Sequence, residues 1–170
     1  VIVALIDISG VSPDAMNIAD MMDGILERVI NTYASYSMPL PSRRYWATGQ
    51  SAIDCEQLTV TLVQGYLGPP GSQESMPQKC NMPRTVVVLI TVARQIPTVG
   101  AGGRPPAATA IEDASRISAI DSWILLQSIN ELDMWDESLG FSIGTIGTLE
   151  LPPPEGGFQL VTLQLTMAVP

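Results

Sequence analysis

Residues 84–106 read RTVVVLITVARQIPTVGAGGRPP. Eight of the nine residues from Val86 to Arg94 lack charge, and both alternating sets are largely apolar. A strand with one wet face alternates apolar and polar residues, so this run belongs to a central strand covered on both sides. One helix covers one face. The other face then requires a second helix or another subunit.

The neighbouring segments supply the candidates. Upstream, Leu58, Val60, Leu62 and Tyr66 share one face of a strand in DCEQLTVTLVQGYLG, opposite Thr59, Thr61 and Val63. The two strands form an antiparallel hairpin across the Pro-rich loop Pro69–Pro83, which is long for a hairpin. Further upstream, apolar residues at Ile18, Met22, Ile25, Leu26, Val29, Ile30 and Tyr33 follow helical spacing. Ser12 serves as N-cap with Pro13 at the first helical position, predicting a helix over 13–36. Asp20, Asp23 and Glu27 fall on its wet side. The segment between, SMPLPSRRYWATGQSA, reads as irregular.

Downstream, residues 97–106 read as a mobile loop. Thr109 and Glu112 have the spacing of a capping box, opening a helix to about Leu132 whose inner stripe is Ile111, Ala114, Ile117, Ile120, Ile124 and Leu125. Its second half, WILLQSINEL, is apolar over more than one stripe, as in a helix packed between a sheet and something else. Two last strands, 141–151 and 158–169, are joined by PPPEGG. The N-terminal VIVALIDI is a short β-prone run, within a candidate N-terminal arm at 1–10. The order helix–hairpin–helix–hairpin predicts one α+β domain over 1–170: a mainly antiparallel sheet of about four strands packed with two long helices.

Composition narrows the function. The 170 residues are 46% hydrophobic and 15% charged, against about 25% charged in an average domain. That leaves a membrane protein or a subunit that buries surface against others. No apolar run approaches the ~20 residues of a spanning helix, and the first residues lack the basic segment of a signal peptide. The net charge of -9 disfavours gripping nucleic acid, whose affinity comes from Lys and Arg. It suits an acidic wall past which DNA slides.

Chemical motifs are sparse. GFSIG at Gly140–Gly144 fits the nucleophile-elbow pattern, but that motif needs a strand-to-helix turn and a histidine base, and the chain has no histidine. GAGG at Gly100–Gly103 lacks the Lys and Ser/Thr of a phosphate loop. DMWDE at Asp133–Glu137 gathers three acids, as a hard-cation site or a solvated helix end does. No catalytic, cofactor-binding or metal residues are assigned. Cys55 and Cys80 are either two free thiols or one late-forming bridge. RRYW, Arg43–Trp46, has the residue types of an interface hot spot. Alternatively, Tyr45 and Trp46 fold back onto the core and the arginines stay solvated. Interface candidates are Arg43, Arg44, Tyr45, Trp46, Arg104, Trp123 and Leu126.

DCEQLTVTLVQ, a cysteine before the next strand (Cys80), ARQIP at the strand's end and GGRPPAA leading into a helix together cover about Asp54–Leu132. In these the chain resembles the tail terminator proteins of long-tailed, non-contractile bacteriophages, especially those of actinobacteria. The resemblance implies a non-enzymatic virion protein of the neck, assembled in the host cytoplasm without cofactors. It implies a ring, usually a hexamer, at the head-proximal end of the tail. That ring stops addition of tail-tube subunits, docks the head–tail connector and passes DNA through its lumen. Ring contacts are expected at the second cover of Val86–Val92 or on the outer side of Trp123–Leu132. Loops Pro69–Pro83 and Pro97–Pro106 are expected to reach tube or connector. Rival readings are a connector or stopper subunit of the same neck, a small serine hydrolase using Ser142, and a ligand-binding domain with an enclosed apolar pocket.

Overall fold

The structure is a computed structural model that describes residues 13–49, 52–68, 84–99, 103–130 and 142–169. The long loop at 69–83, the DMWDE cluster, Ser12 and the N-terminal run lie outside the described residues. Seven elements follow in chain order: α1 (Pro13–Ser35), β1 (Arg43–Thr48), β2 (Gln57–Leu67), β3 (Arg84–Gln95), α2 (Ala108–Asn130), β4 (Ser142–Glu150) and β5 (Phe158–Val169). They form an α+β fold with one sheet of order β1-β2-β3-β5-β4. The expected central strand, β3, is central. It pairs antiparallel with β2 on one side and with β5 on the other.

The sheet has five strands where about four were expected. The additional one, β1, comes from the segment read as irregular, and it runs parallel to β2. Two prolines and two arginines hide it in the sequence. Pro39 and Pro41 in fact precede β1, and an edge strand tolerates its arginines because charge there discourages stray pairing. The connection from β1 must double back to start β2 alongside it, and Gly49 and Ile53 of that connection line the face of the sheet bearing Thr59 and Thr61.

Both helices lie on the same face. Met21, Met22, Ile25, Val29 and Tyr33 of α1 join Ile124, Leu125 and Ile129 of α2 in one buried cluster. Beneath them are Leu58, Val60, Val88, Ile90, Val92, Leu163 and Leu165. Each such side chain contributes roughly 1.5–3 kcal/mol by leaving water. The register aligns Trp46, Val60, Ile90, Leu163 and Leu149 as one row of this face. A second helix on the opposite face, one of the two covers expected for β3, is absent among the described residues. That face carries the row Tyr45, Thr59, Thr91 and Thr162, whose methyls keep it half apolar.

Helix ends follow local chemistry. At the end of α1 the Ser37 N–H donates to Ala34 O and the Met38 N–H donates to Tyr33 O, with Ser37 at φ 53°. This is a Schellman closure made without glycine. At the start of α2 the carbonyl of Ala107 accepts from Ala110 and Ile111. Ala107 is therefore the cap, and Thr109 stands inside the first turn, not at the capping-box position expected of it. The helix begins as soon as the Pro105–Pro106 pair, which disfavours helical backbone before it, has passed. Between β4 and β5, Gly156 and Gly157 both have positive φ, and Glu155 and Phe158 exchange two backbone hydrogen bonds. That is the two-residue turn for which Gly-Gly is suited.

The largest departure concerns the roll of α2. Ile111, Ile117 and Ile120, expected to face inward, are 49%, 38% and 43% exposed, while Asp121 is fully buried. Asp121 meets Arg94 of β3 in a two-pronged pair, with Nε donating to Oδ2 at 3.0 Å and Nη2 donating to Oδ1 at 3.1 Å. Tyr33 of α1 donates its hydroxyl to Asp121 Oδ1 at 2.7 Å. Arg94 Nη2 also donates to Pro39 O at 2.8 Å. One buried carboxylate thus joins both helices, the central strand and the α1–β1 loop. Burial pulls the Arg94 guanidinium down, but the hydrogen bond and charge of Asp121 outweigh it and leave it above its ordinary value. Burial first, then the charge and hydrogen bond of Asp121, push the Tyr33 phenol far above its usual range.

Two outcomes follow. Asp121→Ala leaves Arg94 buried without its carboxylate and should cost about 3–5 kcal/mol in denaturant unfolding. A loss under about 1 kcal/mol would contradict this account. Tyr33 keeps its proton in the folded state, whereas an unfolded tyrosine loses it near pH 10. Its contribution is therefore intact below about pH 10 and declines above it, by at most about 1.4 kcal/mol per pH unit. Unfolding titrations from pH 9 to 11 should show a shallower decline in Tyr33→Phe.

Candidate subunit interface

The roll that buries Asp121 turns an apolar strip outward. Ile120 and Trp123, both exposed and three residues apart, lie on one side of α2, with Ile117 beside them and Arg116 one turn earlier. Trp123 is 55% exposed. A helix flanked only by solvent carries polar residues there. Of the expected interface residues on this helix, Trp123 is at the surface and Leu126 is partly buried against the core. Arg116 is exposed and makes no ion pair among the described residues.

The first half of α2 borders an open pocket of about 340 Å³ at the end of the sheet. Ile96 and Pro97 after β3, Pro106 and Ile111 at the start of α2, and Leu151 and Pro154 of the β4–β5 turn line it. Ile111 and Leu151 at its lip are about half exposed. Its few polar side chains are already engaged: Ser115 donates to Ile111 O at 2.8 Å, Ser118 to Ala114 O at 3.1 Å and Gln159 to Pro152 O at 3.1 Å. Glu150 and Glu155, both exposed, are neighbours of Leu151 and Pro154 in the chain but belong to the helix-free face, where Glu150 pairs with Thr162 and Glu155 lines the cavity beside Thr91. A second cavity of about 410 Å³ lies on the helix-free face, lined by Thr59, Thr61, Thr91, Thr162 and Leu89.

RRYW resolves into two opposite roles. Trp46 points to the helix side, where its indole N–H donates to Asp23 Oδ1 of α1 at 2.7 Å and its ring packs against the core. Tyr45 lies on the other face. Arg43 stands over the Tyr45 ring at 5.0 Å and pairs with Asp54 at 3.0 Å. The hydrogen bond with Cys55, then the charge of Asp54, raise the half-exposed Arg43 guanidinium above its usual value. Arg44 and Arg104 are exposed. Trp46 is therefore committed to its own fold, while the arginines remain at the surface. Cys55 is a free, half-buried thiol; Cys80 lies outside the described residues.

Ser142 of GFSIG opens β4. Its position at the start of a strand is not the strand-to-helix turn of a nucleophile elbow. Gly103 is the described end of GAGG and adopts φ 74°. Among the described residues no group of three or more Cys, Asp and Glu side chains is placed to hold a metal ion. No helix there is long and apolar enough to cross a membrane.

No family model matches the chain, and no curated protein matches it. Solved structures do match. One of them, which carries only a generic identifier, is 14% identical over 89% of this chain and 95% of its own, with a TM-score of 0.35.

Sequence reasoning missed the pocket beside α2 and the outward place of Arg116. Trp46→Phe removes one hydrogen bond to a carboxylate and should cost about 1–3 kcal/mol by thermal or denaturant unfolding, without changing assembly. A stable Trp46→Phe that no longer assembles would place this tryptophan at an interface instead.

Proposed function

We propose that this protein is a structural virion subunit that closes into a ring at the head-proximal end of a phage tail tube, ending tube growth and receiving the head–tail connector. The observation that carries this reading is the outward apolar strip on α2, in a chain that is only 15% charged. A solitary protein exposes single apolar residues; a contiguous strip on a helix marks a surface destined to be covered.

The acidic balance supports the DNA-conducting part of the proposal. Asp20, Asp23 and Glu27 form an exposed acidic side of α1, and such a wall repels a polyanion instead of holding it. The arrangement of sequence motifs from Asp54 to Leu132 supplies the choice of tail terminator among ring-forming neck proteins.

Purified protein should form closed rings, with about six copies expected, visible by negative-stain electron microscopy and matched by mass photometry. Rings should cap isolated tail tubes and stop their elongation. A protein that stays monomeric at high concentration and leaves tube growth untouched sinks the proposal.

A further inference from the structure

The helix-free face of the sheet holds a cavity of about 410 Å³, within the roughly 300–1,000 Å³ of small-molecule sites. Thr59 and Thr61 of β2 and Thr91 of β3 line its floor and are 2%, 6% and 8% exposed. Among the described residues none of these three hydroxyls is hydrogen-bonded to another protein group. Thr162 of β5, beside them, donates to Glu150 O at 3.3 Å. A buried hydroxyl without a partner is costly, so three on one floor suit a guest that bonds to them. The walls are tied in place. The Gly49 N–H donates to Leu62 O at 3.1 Å. The buried Gln57 donates Nε2 to Ala52 O at 3.1 Å, which holds Ile53 of the β1–β2 connection at the cavity.

The register orders the lining along the strands. Leu160 is level with Gln57, Thr162 with Thr91 and Thr59, and Leu89 with Thr61. The floor is therefore elongated, roughly 13 Å from Leu160 to the level of Leu89. Glu155, of the β4–β5 turn, is the only charged residue among those lining it. It is exposed and has no ion pair among the described residues. Arg43, on the same face of β1, is paired with Asp54 and does not line the cavity.

We propose that this cavity binds an aliphatic di- or polyamine, with one ammonium on Glu155 and the rest of the chain lying along the threonines. An ammonium only donates hydrogen bonds, and hydroxyl and carboxylate oxygens accept them. Its methylenes lie against Ile53, Leu160 and Leu89. An anion would meet a carboxylate with no cation to offset it, and a bare metal ion would leave the apolar walls unused. This site goes beyond the ring reading, and neither depends on the other.

Isothermal titration calorimetry at low ionic strength tests it with cadaverine and with pentanediol, which carries hydroxyls on the same carbon chain. Cadaverine should bind one per chain, and pentanediol at least about tenfold more weakly. Thr59→Val and Thr91→Val keep the side-chain shape and should each weaken cadaverine at least about threefold. Glu155→Gln should weaken it about tenfold or more. The double variant Asp20→Asn, Glu27→Gln removes two charges from α1, on the other side of the sheet, and should leave binding within about twofold. Unfolding midpoints measured alongside separate a lost site from a lost fold; should a valine variant unfold, Glu155→Gln, at an exposed turn, decides. The site is overturned by no binding of cadaverine, by equal binding of pentanediol, or by folded valine variants or Glu155→Gln of unchanged affinity. A loss in the α1 variant equal to that of Glu155→Gln also overturns it, since the amine would then be a general counterion of an acidic chain.

Discussion

Asp121 has no exposed surface and accepts hydrogen bonds from Arg94 and Tyr33. An ionised carboxylate in that position is tolerable only because a guanidinium meets both its oxygens. The requirement fixes the roll of α2, since the helix must aim Asp121 at the end of β3. It also fixes where α1 lies, because Tyr33 has to reach the same carboxylate. Pro39, bound through Arg94, brings the α1–β1 loop to that point and positions the start of β1. A buried ion pair gives little net stability over a well-packed apolar replacement. Here its structural consequence is directional: it selects one packing of two helices that apolar contacts alone would leave free to turn.

That choice has a cost at the surface. With Asp121, Ile124, Leu125 and Ile129 inward, Ile120 and Trp123 must point out, and the first half of α2 borders an open pocket. The same geometry that secures the core thus creates both a protruding apolar strip and an apolar recess.

The sheet has a comparable asymmetry. Val86, Val88, Ile90 and Val92 meet the helices, while Thr85, Val87, Leu89 and Thr91 lie on the face without one. Threonine methyls and the β1–β2 connection partly shield that second face. This is why β3 reads as apolar on both sides although only one side has helices.

The alternation and spacing of apolar residues were enough to determine both helices, the β2–β3 and β4–β5 hairpins, the central place of β3 and the α+β class, because these follow from periods of two and of about three and a half that are properties of the chain itself. The exposure of Trp123 was legible from its place on a helix with too many apolar positions for one inner stripe. The partner of Asp121 was not legible, since Arg94 is 27 residues away and a lone acid on a helix reads as solvated. Without that partner the stripe of isoleucines defines the inner side; with it, the helix turns. The parallel edge strand β1, the sharing of one face by both helices and the cavity beside Ile111 were likewise decided only by tertiary structure, because each depends on which distant groups pair, and local periodicity carries no record of that.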